Sequence, residues 1–327
     1  MALSSDKISA LLSTAKSTSE VDAIIWQLVK DDQVPSQIAK NFWKWVTIKG
    51  GGHVLEVLFA PSYFAVGEDD DFWWVDRTSE FLAQNVADKY NAILPSRKLV
   101  KEGQKQSSPI IPYLDVKAAG IPLTQIETHK ASVKANDLTN AAFEKRGIEL
   151  GDGLVLGFKK AMIVHPDLDG TRVCIFGGTW DASGTNYVQD ACGPHDSSYS
   201  DYSHGIVLVS RKAKLDGEDV DLRDDVFMSK DPSIWSLVND TSTRFDPVFP
   251  NKGSGPGGKM SVASDPSTGK PLGGRDGATG PAGSSFVRLV TGGIIGLAGG
   301  LMLSFPPTWI VGTTLVGVGV AKLSEPK

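Results

Sequence analysis

Asp190-Ala-Cys192-Gly-Pro-His195-Asp196-Ser-Ser-Tyr199-Ser-Asp201-Tyr202-Ser203-His204-Gly205-Ile206-Val207-Leu208-Val209 is the stretch on which the reading of this chain turns. Two of the five histidines lie nine positions apart in it, interleaved with aspartates, tyrosines, serines and a cysteine. The polar run stops where the aliphatic run Ile206–Val209 begins, which predicts a loop feeding a buried strand. A strand end of this kind is where a rigid scaffold commonly presents its chemical groups.

Working outward, residues 206 to 214 read as a strand and Asp216-Gly217 as a turn, with a polar tail containing Ile234-Trp235 ending the folded part near residue 249. Upstream, Leu154–Phe158, Ala161–Val164 and Arg172–Phe176 read as further strands, the last two joined by the turn His165-Pro-Asp167-Leu-Asp169-Gly. The first half is more helical. Residues 4 to 31 give two short helices, one with Ile8, Leu11 and Leu12 inward, the other with Ser19 and Asp22 as a capping pattern. Residues 78 to 90 form a helix capped by Thr78 or Ser79, Leu94–Val100 opens another with Pro95 in its first turn, and Asn136–Arg146 makes a third. Segment 102 to 135 reads as irregular. Trp43–Ile48 and His53–Phe59, separated by Gly50-Gly51-Gly52, make a hairpin. Helices first and hairpin-linked strands later predict an α+β domain, residues 1 to 249, with an antiparallel, hairpin-rich sheet rather than a doubly wound one.

Residues 250 to 285 are dominated by Gly, Pro, Ser and Lys and read as a flexible linker. Residues 286 to 327 follow as a hydrophobic, glycine-rich hairpin, broken at Pro306-Pro307. Leu289–Ala321 has no charged residue, and as one helix would extend about 50 Å, more than a bilayer core requires. Gly292, Gly296 and Gly300 form a small-residue face that suits close helix approach. Membrane association and buried or oligomeric packing both account for this segment, and the preceding linker, Arg288, Trp309 and Lys322 favour the membrane.

A net charge of −5 leaves no basic excess for neutralising phosphates, so a general nucleic-acid binder is excluded. The two cysteines, 174 and 192, form no CxxC pair and fit a reducing compartment. The start, Met1-Ala-Leu-Ser-Ser-Asp, carries no ordinary signal peptide. That leaves open a cytoplasmic protein, a membrane-associated one, or a part of an exported particle.

Several islands recur in an order that carries a family resemblance: Val34-Pro35-Ser36, Trp45-Val46-Thr47-Ile48, Leu94-Pro95-Ser96-Arg97-Lys98-Leu99-Val100, Gly157-Phe158-Lys159-Lys160, and Asp201-Tyr202-Ser203-His204-Gly205 with its aliphatic strand. Across roughly residues 30 to 230 the chain resembles a family of uncharacterised bacterial proteins with LPxRK and DYSHG motifs. The family pattern has His where this chain has Phe158. The resemblance implies candidate positions and no activity.

A general base needs an imidazole held by a second polar group. Asp201 and His204 are three apart and His195 is near, so a folded loop brings all three together as a catalytic set. The same three can instead ligate zinc with an open fourth position, although His-x5-Asp-x2-His is no diagnostic zinc spacing. The plain alternative is that His204 only braces the loop. Lys159, Lys160, Arg97 and Tyr202 are candidate ligand-binding residues, the cations receiving an anionic group. The acidic run Glu68–Asp71 and the 165–170 turn are weaker cation sites, better explained as solvated turns. Trp73-Trp74 and the Trp43/Trp45 pair can stack on sugars, but packing explains them more simply. The expectation is a hydrolase acting on cell-wall peptide or glycan, with a membrane-directed tail. A structural or adhesive protein of a virion or injection apparatus, assembling or entering a bilayer through residues 286–327, is the alternative.

Overall fold

The computed structural model describes residues 2–39, 42–168, 172–191, 195–196 and 199–249; the expected linker and hydrophobic hairpin, with their glycine face, lie outside these residues. Helix α1 (Ser5–Leu12) buries Ile8 and Leu12 but leaves Leu11 exposed. Helix α2 (Thr18–Lys30) starts earlier than Ser19 suggests, because the Ser17 side chain accepts from the Glu20 amide and forms the cap. Asp22 has a different partner: it is buried and accepts from both the amide and the hydroxyl of Ser79. In the short helix α3 (Ser36–Ala39), the Ser36 amide and hydroxyl donate to Asp69, and Asp71 accepts from the Ser5 amide. Those two carboxylates of the acidic run thus tie the N-terminal helices down.

Strands β1 (Lys44–Gly50) and β2 (His53–Phe59) form the expected hairpin, with Gly51 and Gly52 at φ of 59° and 87°, where a side chain would be strained. A second, short hairpin joins β3 (Ala65–Gly67) to β4 (Phe72–Trp74). Helix α4 (Glu80–Lys89) is capped by Ser79, strand β5 (Ala92–Ile93) follows, and Ser96 caps α5 (Arg97–Gln106). Pro95 therefore precedes the cap instead of lying in the first turn. Helix α6 (His129–Arg146) is capped by Thr128 and ended by Gly147 in the left-handed region. It begins well before Asn136, and its added turns bury small or polar groups, Ala131, Ser132 and Ala135, which give no strong apolar stripe.

The second half supplies β6 (Lys160–Met162), β7 (Ile175–Thr179), β8 (Tyr187–Gln189), β9 (His204–Gly205), β10 (Val209–Leu215), β11 (Glu218–Asp221) and the short helix α7 (Pro232–Trp235). One sheet has the order β1-β2-β10-β11, with β5 also pairing β10, and is antiparallel throughout. The other has the order β8-β7-β6-β9, and only its β6–β9 pair is parallel. The architecture is α+β with predominantly antiparallel sheets. Leu154–Phe158 and Ile206–Leu208, expected as strands, are buried without joining a named one. Single hydrogen bonds satisfy them: Val155 donates to Pro61, while Ile206 and Leu208 carbonyls accept from Phe64 and Ala60. Pro61 has no N–H to continue a ladder along this segment.

Phe158 sits among aromatic rings, meeting Tyr63 at 4.7 Å, Trp74 at 5.3 Å and Phe143 at 5.6 Å between centroids. Phe158 is thus a core position. Trp74 is fully buried and Trp73, on the opposite face of β4, is 4% exposed and stacks on His129. Trp43 donates its indole N–H to the Ile38 carbonyl. Cys174 is buried and disulfide-bonded, which corrects the expectation of reduced thiols; Cys192 lies outside the described residues.

Candidate functional site

The Asp201–Gly205 motif is placed by its pairing with β6. Parallel register sets Lys160 opposite His204 and Ala161 opposite Gly205, and the Lys160 amide donates to the Ser203 carbonyl at 2.8 Å. Paired residues share a sheet face while successive ones alternate, so Lys159 and Lys160 go to opposite sides. Lys159 is 2% exposed; its ammonium donates to Asp76 at 3.3 Å and to the Tyr202 carbonyl at 2.9 Å. It is a buried strut, which corrects its reading as a substrate anchor. Lys160 is half-buried and makes no side-chain hydrogen bond or ion pair among the described residues. Burial lowers its pKa against the opposing pull of Asp201.

Gly205 is required by packing. A Cβ there would lie 2.5 Å from the Tyr63 ring and 3.1 Å from the Lys159 side chain. Tyr63 cannot retreat, being fully buried with its hydroxyl donating to the Lys159 carbonyl. Gly205→Ala is expected to cost about 1–3 kcal/mol, the usual range for overpacking. Urea denaturation checks this, and an unchanged midpoint would refute the contact.

Asp201 accepts from the Ser203 amide at 2.7 Å, from the Ser203 hydroxyl, and from the Tyr199 hydroxyl at 2.9 Å. Burial works to raise its carboxyl, but His204, Lys160 and the Ser203 donors outweigh it and hold the group below the usual range. His204 is fully buried, and neither ring nitrogen has a hydrogen-bond partner. Its Nε2 lies 3.9 Å from the Asp201 carboxylate, beyond hydrogen-bond reach. Burial pushes the imidazole down to about 4; Asp201 opposes this, and Lys160, His195 and Lys159 add to it. The ring is therefore neutral near pH 7, and Lys160 and Ser203 are the surer reasons for the ionised Asp201. His195 stacks on Tyr199 at 3.8 Å with an interplanar angle of 10°, and Tyr199 meets His204 edge-on at 5.6 Å.

The fold thus gathers His204, Asp201, His195 and Lys160. Tyr202 points away into a neighbouring cluster, where its hydroxyl bonds Tyr113 at 2.7 Å and Asp115 at 3.3 Å. Arg97 is not with them: it forms ion pairs with Asp240 and Asp190, and Lys98 donates to the Ser236 carbonyl. Among the described residues no three His, Cys, Asp or Glu side chains are arranged to hold a metal, so zinc ligation by His195, Asp201 and His204 gains no geometric support.

Sequence reasoning missed the buried carboxyls. Glu80, in the first turn of α4, is 1% exposed, and neither oxygen bonds another residue. Burial pushes it up to about 8, with Asp22 and Asp196 adding, and Asp22 itself is raised to about 6, mainly by burial. Only the Thr78-Ser79-Glu80 cap was legible, and it marks a helix start, not a buried acid. Between pH 4.5 and about 8 the folded Glu80 keeps a proton that the unfolded chain releases, so stability falls as pH rises through that window. At about 1.4 kcal/mol per pH unit the loss above pH 8 has a ceiling of roughly 5 kcal/mol. Glu80→Gln is expected to outlast the wild type above pH 8 and to match it below pH 4.5 in chemical denaturation. A gap independent of pH refutes the buried acid.

Comparison with family models, with curated proteins and with solved structures returns no match. Function is therefore argued from the geometry.

Proposed function

We propose that this protein is a hydrolase of cell-wall peptide or glycan bonds in which His204 is the general base. One observation carries the reading: a fully buried, neutral imidazole with both nitrogens unpartnered, held 3.9 Å from an ionised Asp201. An unsatisfied buried polar group costs stability, and a catalytic role is one reason for a native chain to carry that cost. With Nε2 facing Asp201, Nδ1 takes a proton from the attacking water and later returns it to the leaving amine or alcohol. Asp201 stabilises the transient imidazolium, and the uncommitted Lys160 ammonium stands ready for the developing oxyanion. His204 is covered in this conformation, so substrate entry requires the His195–Tyr199 stack to move aside. The hydrophobic C-terminal segment supports a wall or membrane-proximal substrate. The test is incubation of the full chain with peptidoglycan peptides and glycan fragments, reading released amines and reducing ends. Cleavage of neither class removes the reading and returns the chain to a structural role.

A further inference from the structure

The cluster into which Tyr202 turns continues along the second sheet and ends on an open aromatic ring. Trp180 follows β7 directly, and its amide donates to the Asn186 carbonyl at 2.9 Å, which extends the pairing of β7 with β8. Its backbone is therefore fixed, yet its side chain is 51% exposed, the most open aromatic among the described residues. Tyr113 braces it, the two rings meeting edge to face at 5.7 Å and 82°. Tyr113 is itself seated: its amide donates to the Thr179 carbonyl at 2.7 Å, and its ring lies over Gly178, where a Cβ would come within 3.3 Å of it. An indole held rigid and open offers apolar area to a ligand at little entropic cost.

Hydroxyl and carboxylate groups line the way from this ring to the candidate site. The Tyr113 and Tyr202 hydroxyls are 2.7 Å apart, and Tyr202 donates onward to Asp115 at 3.3 Å. Asp115 also takes the Lys117 amide at 2.9 Å and its ammonium at 3.5 Å. Tyr113 and Asp115 are partly open to solvent, and each keeps acceptor capacity for a further donor. Beyond Asp115 comes Lys160. Its ammonium, lowered chiefly by burial, is acted on by Asp201, Lys117 and Asp115, which gathers these groups around it. Lys160 stands opposite His204 in the β6–β9 pairing, so the strip runs from Trp180 to the residues assigned to catalysis.

We infer that this strip is a sugar subsite of the site at His204: one pyranose ring lies flat on the Trp180 indole, and its hydroxyls donate to Asp115 and the Tyr113 oxygen. The chemistry favours a glycan over a peptide. The C–H face of a pyranose matches an open indole, and its rim of hydroxyls matches acceptors set beside that ring. A peptide backbone offers only one N–H and one C=O per residue and no flat apolar face. The inference rests on the hydrolase reading for its direction towards His204, and it narrows the substrate from peptide or glycan to glycan.

The full chain is titrated calorimetrically with a soluble N-acetylglucosamine oligomer and, separately, with a stem peptide of the cell wall. Saturable binding of the sugar is expected, and none of the peptide. Trp180→Ala removes a half-exposed ring without opening the core, and is expected to weaken sugar binding at least about tenfold. Trp180→Phe keeps a smaller ring and Asp115→Asn keeps the shape of the acceptor, and a several-fold loss is expected from each. Where the oligomer is also cleaved, Trp180→Ala should raise KM and keep kcat within about twofold, as loss of uniform binding does. No saturation by the sugar overturns the subsite, as does unchanged affinity in Trp180→Ala or capture of the peptide through Trp180. Hydrolysis is scored separately. A sugar bound through Trp180 but never cleaved sinks the hydrolase and leaves the subsite standing, and cleavage with an unchanged KM in Trp180→Ala does the reverse.

Discussion

His204→Phe is expected to lose hydrolytic turnover by about 10²–10⁴-fold while the fold is kept and stability does not fall. Phenylalanine keeps a ring beside Tyr199 and removes two nitrogens that have no partner in the folded chain. Removing a buried unsatisfied polar group returns roughly 1–3 kcal/mol, set against modest strain from the larger ring. The pH dependence gives an independent readout. The unfolded imidazole protonates near 6.5 and the folded one only near 4, so the unfolded chain binds the extra proton between them. Wild-type stability should therefore fall as pH drops from 6.5 to 4, by about 3 kcal/mol from this group. The variant lacks that contribution, so the difference between the two chains widens across the same window. Retained turnover in a folded variant sinks the assignment of the base; a difference flat with pH sinks the buried neutral imidazole.

The second large effect concerns Asp76 and Lys159. Asp76→Ala leaves the Lys159 ammonium uncompensated where it is 2% exposed, and is expected to cost about 3–5 kcal/mol. Lys159→Met is expected to cost less, because burial already raises the Asp76 carboxyl and it can take up a proton. The double variant should recover most of the loss from Asp76→Ala, so the two changes are strongly non-additive. Calorimetric melting of the four chains measures the coupling, and simple addition of the single losses rules out the pair as a unit. Lys159 also holds the Tyr202 carbonyl, so Lys159→Met should loosen the turn that presents His204 and lower turnover as well.

Much of the local structure was legible. The β1–β2 hairpin follows from alternation and a glycine turn, and the start of α4 from Ser79. The grouping of His195, Asp201 and His204 was also within reach, because a short loop keeps them near one another. Lys159 and Lys160 show where such reading stops. Alternation says that they part, but not which one enters the core, since that depends on Asp76, eighty-three positions away.

The amino-acid sequence by itself determined the α+β class, the Ser79 cap of α4, the glycine turns and the polar loop before an aliphatic run. Each of these rests on dihedral preferences and hydrogen bonds within a few residues. Tertiary structure alone decided the burial of Glu80, the parallel pairing of β9 with β6, and the meeting of Tyr113 with Tyr202. It also turned Leu154–Phe158 from an expected strand into buried, irregular chain. The physical reason is common to all four. Desolvation of a charge and choice of a strand partner are set by packing between distant segments, and no local pattern encodes them.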